Sequence, residues 1–205
     1  NRHDDFIRSE ALGKEALHWY DKTPNKEGID NLYFYLMYTV FSQSKFDEAI
    51  YYAEKKYELA KQNGDINGTI KALSLHFAVY RQSGDYEKSF VFARQAYDLA
   101  VKEKNKIWIA NTLYGMAQLY ALIEDYSNAL AYFRKVLQMD DEETRNERIK
   151  TDNDIWFKME FTEVFSHLNQ FDSAWHYYHL FKPTDKAIYM RDRKSTRLNS
   201  SHRTG

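Results

Sequence analysis

Five segments of the chain repeat one pattern of apolar and polar positions. In each, an aromatic residue is followed by a small residue three positions later and then by an amphipathic run. The aromatic residues are Phe6, Phe46, Tyr86, Tyr126 and Phe171, at spacings of 40, 40, 40 and 45 residues. A period of this length is typical of stacked helical hairpins. The pattern therefore predicts an all-α array rather than a single globular core.

Each period contains two runs of apolar residues at intervals of three and four, which predicts two helices per repeat. We expect the second helix to begin at the aromatic residue. The first helix of the second repeat carries Ile70, Leu73, Phe77 and Tyr80, and the next repeat places Ala110, Leu113, Ala117 and Tyr120 at the same offsets. The helix predicted over 29–42 is apolar nearly all round, which is typical of a helix sandwiched between neighbours on both sides. Gly64 supplies the left-handed residue expected just past a helix end.

These helices predict the division of the chain into repeats. We expect the second helix of a truncated repeat in 1–28, one hairpin in each of 29–66, 67–105 and 106–140, an extended hairpin in 141–183, and the start of another segment in 184–191. The charged stretch 140–150 accounts for the five extra residues in the last spacing, as a solvated helix extension or loop. Five second helices and four first helices indicate that the chain begins within a repeat.

The last residues form a separate case. Residues 192–202 resemble, residue for residue, the conceptual translation of a common sequencing adapter, so we expect 192–205 to be a non-native tail. The whole chain has 29 basic and 30 acidic residues, and the tail carries four of the bases and one of the acids. The remainder has 25 bases and 29 acids, a net charge of −4. With this negative net charge, the chain is not expected to attract the phosphates of a nucleic acid.

Composition excludes several kinds of site. The chain has no cysteine, and therefore no disulfide, thiolate metal site or cysteine nucleophile. No apolar run reaches the roughly 20 residues of a membrane helix. Phosphate-binding glycine loops, nucleophile elbows and zinc-protease signatures do not occur. His176 and His179 have the spacing of metal ligands on a helix, but no third ligand is evident. We predict no catalytic residue, no cofactor and no metal in this chain.

Small residues recur where paired helices are expected to cross: Ala49, Ser89, Ala129 and Ala174. With Tyr80 and Tyr120 in the first helices and the turns Asp85-Tyr86 and Asp125-Tyr126, they resemble the tetratricopeptide repeat family in a long-unit variant of about 40 residues. The resemblance covers nearly all of 6–183. It implies a right-handed superhelical solenoid of antiparallel helical hairpins, with peptides or partner helices bound on the concave face of the first helices.

The resemblance also implies which positions line such a groove. They are Asn31, Phe34, Tyr38, Lys71, Ser74, Ala78, Asn111, Tyr114, Gln118, Trp156, Met159 and Glu163. Asparagine and glutamine can bind a peptide backbone, and aromatic side chains supply contact area at low entropic cost. Lys71 with Asn111 matches part of the clamp that some members use for a C-terminal carboxylate.

The function implied is a scaffold for protein or peptide partners, as the sensory or interaction region of a larger bacterial signalling protein. Residues 155–183 have a weaker similarity to the repeat region of bacterial sensor histidine kinases. The alternatives are therefore the input domain of a membrane-bound kinase, or the peptide-responsive region of a transcription regulator. The parent protein could be an enzyme in the first case. Localisation would be periplasmic for the kinase and cytoplasmic otherwise.

Overall fold

The computed structural model describes residues 2–22, 28–139 and 153–179, and within these ranges every regular element is an α-helix. The helices are α1 (Arg2–Lys22), α2 (Ile29–Ser42), α3 (Phe46–Gln62), α4 (Ile66–Ser83), α5 (Tyr86–Lys102), α6 (Lys106–Leu122), α7 (Tyr126–Gln138), α8 (Asn153–His167) and α9 (Phe171–His179). The predictions for the charged stretch 140–150, for 184–191 and for the tail 192–205 concern residues outside these ranges.

The chain divides into two compact units, residues 1–112 and 113–205, and the division falls within α6. In the first unit, each of the helices α1 to α4 packs against the next one along the chain. In the second, α8 packs against both α7 and α9. The predicted fold class, all-α with hairpins of the tetratricopeptide type, is confirmed.

The aromatic residue of the repeat marks the start of the second helix. Helices α3, α5, α7 and α9 begin at Phe46, Tyr86, Tyr126 and Phe171, as predicted. The prediction was wrong for the first one, because α1 begins at Arg2 rather than Phe6. The residues before Phe6 include neither glycine nor proline, so nothing in the sequence stops the helix from starting earlier.

The small residues lie where the helices of a hairpin cross. Ala49, Ser89 and Ala129 are completely buried, and Ala174 is 6% exposed. A small side chain here lets the two helix backbones approach closely. Serine is tolerated at one crossing because the Ser89 hydroxyl donates a hydrogen bond to the Phe77 carbonyl at 3.0 Å.

Helix α2 packs against helices on two sides. Leu36, Met37 and Val40 pack against α3 and against Val79 of α4. On the α1 side the contact is close as well, since a Cβ on Gly13 would lie 2.6 Å from a Leu36 methyl carbon. Helix α2 thus lies between α1 and α3, which confirms the prediction of neighbours on both sides, although one face of α2 remains exposed.

Every described turn between consecutive helices contains a residue in the left-handed region. Gly64 and Gly84 have φ of 65° and 87°, and the equivalent non-glycine residues are Ser44, Lys104, Glu124 and Asn169, at 54–64°. This confirms the prediction for Gly64. The residue after several of these positions then caps the next helix: the carboxylates of Asp65, Asp85 and Asp125 each accept a backbone N–H three residues on.

These turns predict opposite effects for two substitutions. Glu124→Gly should stabilise the protein by about 1 kcal/mol because glycine adopts positive φ without strain. Gly84→Ala should destabilise it by about 1 kcal/mol through the backbone alone, since a Cβ at Gly84 meets nothing within 4 Å. Urea unfolding followed by circular dichroism measures both. Glu124→Ala is the control for loss of charge, and a gain from it equal to that of Glu124→Gly would contradict the explanation.

Candidate interaction surface

Three aromatic side chains are exposed on one side of α2. Phe34 is 38% exposed, Tyr35 64% and Tyr38 55%. With Asn31 and Ser42, which are also exposed, they occupy helical positions that fall within about 100° of arc. We call these five residues the α2 face. Asn31, Phe34 and Tyr38 were predicted groove positions, and Tyr35 was not, although its spacing from Asn31 and Tyr38 places it on the same side of the helix.

The start of α2 is held by an ion pair with a buried lysine. The Lys56 ammonium, whose side chain is 5% exposed, contacts the Asp30 carboxylate. It also lies 3.5 Å from the Asp30 carbonyl oxygen. Lys56 belongs to α3, so the pair fixes the first turn of α2 on its hairpin partner. The aromatic rings of the α2 face therefore sit on a helix with a defined position.

A second polar cluster fastens α1 to the other end of α2. The Glu10 carboxylate accepts hydrogen bonds from Lys14 at 2.6 Å, Lys45 at 2.7 Å and Gln43 at 2.8 Å. These bonds, from Lys14 first, lower the pKa of Glu10 from 4.5 to about 2. Lys14 also contacts Glu48 at 2.8 Å, and the two carboxylates, Glu10 first, raise the pKa of the lysine. The cluster joins α1 to the turn between α2 and α3.

The lowered pKa of Glu10 predicts a pH-dependent contribution to stability. A group whose pKa is depressed in the folded state stabilises it above the unfolded pKa, and this contribution is lost as pH falls through the folded pKa. Glu10→Gln should therefore cost about 1–2 kcal/mol at pH 7, a value reduced by the solvent exposure of both lysines. Urea unfolding at a series of pH values should show the difference from wild type shrinking between pH 4.5 and pH 2. A difference that stays constant over that range would contradict the assignment.

The predicted groove positions on the later first helices of this unit differ in accessibility. Lys71 of α4 is exposed and has no hydrogen-bond or ion-pair partner among the residues that the structure describes. Ser74 and Ala78 are half-buried, and the Ser74 hydroxyl donates to the Ile70 carbonyl at 3.0 Å within its own helix. Asn111 in α6 is half-buried. Lys71 thus has the most freely available polar group of the four.

In the second unit, several predicted groove positions are occupied by contacts of the fold. Tyr114 is 8% exposed and lies 6.0 Å from the Phe133 ring, centroid to centroid. The Gln118 amide donates to both oxygens of Glu160, at 2.8 and 3.0 Å. Met159 is buried, and Glu163 lies 3.8 Å from the His167 ring nitrogen. Trp156 is in α8, but its side chain is outside the described part of the structure.

Two further observations concern chemistry and membranes. The described residues contain no group of three or more histidine or acidic side chains placed to hold a metal ion. His176 packs edge-on against Tyr177, and the side chain of His179 is not among those described. Within the described ranges, no helix combines the length and apolar character needed to cross a membrane.

Residues 68–142 match the model of the tetratricopeptide repeat family. No curated protein sequence matches the chain. Solved structures with a similar fold include BtubC (BKLC) from P. vanneervenii, with 14% identity, a TM-score of 0.66, and alignment of 93% of this chain with 75% of that one.

Two other similar structures are larger proteins. The apo form of RapI has 12% identity and a TM-score of 0.71, with 87% of this chain and 48% of that chain aligned. Aspartyl phosphate phosphatase F from Bacillus subtilis has 16% identity and a TM-score of 0.69, with 92% and 49% aligned. The chain thus spans about half the length of these two proteins. At such low identity the similarity concerns the fold alone.

Proposed function

Because residues 68–142 are tetratricopeptide repeats, a fold that generally serves as a protein-interaction scaffold, we propose that this chain binds an extended peptide segment on its first helices. The α2 face is the anchor of this surface. The observation that carries the proposal is the exposure of three aromatic side chains, Phe34, Tyr35 and Tyr38, on one side of a helix whose other side is buried.

The chemistry of the α2 face fits a peptide. Rigid aromatic side chains bury much apolar area with little loss of conformational entropy, and they dominate the energetics of many interfaces. The Asn31 amide can donate to and accept from a peptide backbone at the same time. Lys71 on α4 offers a cation to an acidic group of the partner. A contiguous exposed apolar patch on a folded protein commonly marks an interaction site.

Peptide selection tests the proposal. A random peptide library is selected on the immobilised full chain, and enriched synthetic peptides are measured by calorimetry. We expect them to bind the variant Phe34→Ser, Tyr35→Ser, Tyr38→Ser at least about a hundredfold more weakly, since each of the three aromatic anchors is worth roughly 1–2 kcal/mol.

The matched control changes three apolar side chains of second helices, Tyr51→Ser, Val91→Ser and Val101→Ser, which are 44–56% exposed. Binding to this control should be unchanged. Peptides that bind the α2-face variant as tightly as wild type would refute the proposal. Circular dichroism of both variants verifies that helical content is preserved.

The finer proposal is that this scaffold is the interaction region of a larger bacterial signalling protein. One structure of similar fold comes from a Bacillus subtilis aspartyl phosphate phosphatase, which is compatible with that setting. The complete gene distinguishes the alternatives. A membrane span followed by kinase motifs favours a sensor kinase, a helix-turn-helix segment favours a transcription regulator, and an uninterrupted repeat array with neither contradicts both.

A further inference from the structure

The first unit contains a cleft where α3, α4 and α5 meet. Its volume is about 380 Å³. Its lining includes Phe46, Asp47 and Ile50 from α3, Tyr80 from α4, and Asp85 and Lys88 at the start of α5. The cleft thus combines apolar and aromatic walls with two carboxylates and one ammonium.

The aromatic walls are fixed by the core. Phe46 and Ile50 are half-buried, and both pack against the cluster of Leu36, Met37 and Val40. The Tyr80 ring stacks on Phe92 with a centroid distance of 5.3 Å and an interplanar angle of 11°. Each wall therefore presents a preformed surface to a ligand, with little ordering left to occur on binding.

One corner of the cleft already holds a cation. The Lys88 ammonium lies 2.8 Å from the Asp85 carboxylate and 5.2 Å from the centre of the Tyr80 ring. Lys88 also lowers the pKa of Asp85. A carboxylate beside an aromatic ring is the combination that stabilises ammonium and guanidinium groups. The lining of the cleft thus already includes an ammonium group paired with a carboxylate, although the Lys88 side chain is 61% exposed.

The cleft lining contains a second carboxylate, that of Asp47, beside apolar and aromatic lining residues of the same helix. Asp47 is exposed and makes no hydrogen bond or ion pair with any residue that the structure describes. It directly follows Phe46, and Ile50 lies one helical turn further along α3. A surface ion pair alone contributes little to binding, but the neighbouring apolar wall can bury the hydrocarbon part of a long cationic side chain.

We propose that this cleft binds a cationic side chain, arginine in particular, of a peptide partner. The guanidinium group pairs with Asp47, and its three methylene groups pack on Phe46 and Ile50. Arginine is favoured over lysine because its planar group pairs with a carboxylate through two hydrogen bonds and also stacks on aromatic rings. The α2 face contains no charged residue, so the α2 face and the cleft bind different kinds of chemical group. The proposal for the cleft therefore holds whether or not the α2 face binds a peptide.

Titration of the full chain with N-acetyl-arginine amide, followed by amide shifts in nuclear magnetic resonance spectra, tests the cleft. The neutral isostere N-acetyl-citrulline amide is the ligand control. We expect saturable shifts at residues 46–50 and 83–88 with the arginine compound only. Asp47→Asn should weaken binding at least about fivefold, whereas Glu87→Gln, an exposed acid outside the cleft lining, should change it less than twofold.

Removing the resident cation gives a second readout. Lys88→Ala should tighten binding about threefold or more, because Asp85 and the Tyr80 ring become available, whereas Lys102→Ala should have no such effect. Equal shifts from citrulline would overturn the proposal. It would also be overturned by equal effects of Asp47→Asn and Glu87→Gln, which would indicate diffuse electrostatic attraction, or by shifts confined to other surfaces.

Discussion

Phe161→Ala should destabilise the second unit by about 3–5 kcal/mol, the cost of removing a fully buried phenylalanine. Phe161 is 1% exposed and connects three helices. Its ring lies 5.3 Å from Phe133 of α7, 4.5 Å from Phe165 of α8 and 4.5 Å from Tyr177 of α9. Truncation leaves a cavity that these rigid rings cannot fill by rotating, so the loss should lie in the upper part of the range for large-to-small substitutions.

The matched control is Phe171→Ala in the same hairpin. Phe171 is 63% exposed, so its truncation should cost less than about 1 kcal/mol. Hydrogen exchange resolved by peptide separates the second unit from the first, and protection in 153–179 should fall in the Phe161 variant alone. Equal losses for the two variants would contradict the described core.

Asp30→Ala should cost about 2–4 kcal/mol, because it leaves the Lys56 ammonium buried without a counter-charge. The Lys56 side chain is 5% exposed, whereas the Asp30 side chain is 47% exposed. The effect therefore comes from the lysine that remains rather than from the strength of the pair. We also expect weaker peptide binding by this variant, since Asp30 holds the first turn of α2.

The substitution Lys56→Met separates the cost of burying an unpaired ammonium from the stabilisation that the ion pair itself provides. Methionine has nearly the same length and no charge, so the substitution should change the free energy of unfolding by less than about 1 kcal/mol. Adding Lys56→Met to Asp30→Ala should then recover most of the lost stability. Urea unfolding of the two single variants and the double variant measures this cycle. A double variant less stable than Asp30→Ala alone would contradict the buried-charge explanation.

The helical hairpins could be predicted from the sequence because close packing restricts specific positions. Two helices that cross without free space between them require a small residue at the crossing. Ala49 and Ala129 therefore mark the crossing points in the sequence itself. The repeat pattern could also have predicted the residues in the left-handed conformation, because they recur at a fixed distance from the aromatic residue. Ser44, Gly84, Glu124 and Asn169 each lie two positions before the aromatic start of a helix. Only glycine reveals this conformation by its identity, and the prediction was made for Gly64 alone, so these four positions were missed.

The site was less predictable because exposure depends on neighbouring helices. An apolar pattern all round α2 does not indicate which aromatic residues face solvent, and only the packing against α3 and α4 separates Leu36 from Tyr35. Tyr114 was assigned to the groove, yet the structure buries it beside Phe133. The bond between Gln118 and Glu160 joins residues 42 positions apart and has no local signal. The cleft at Asp47 is assembled from three helices and was not predicted.

Two tyrosines of equal exposure provide the most direct test of the α2 face. Tyr38 on α2 is 55% exposed and Tyr51 on α3 is 56% exposed, so each substitution by alanine removes a similar accessible surface. The measurement is the dissociation constant of a peptide selected on the wild-type chain. Tyr38→Ala should raise it about tenfold or more, and Tyr51→Ala less than twofold. Equal effects, or a larger effect of Tyr51→Ala, would show that the first helices are not the binding surface.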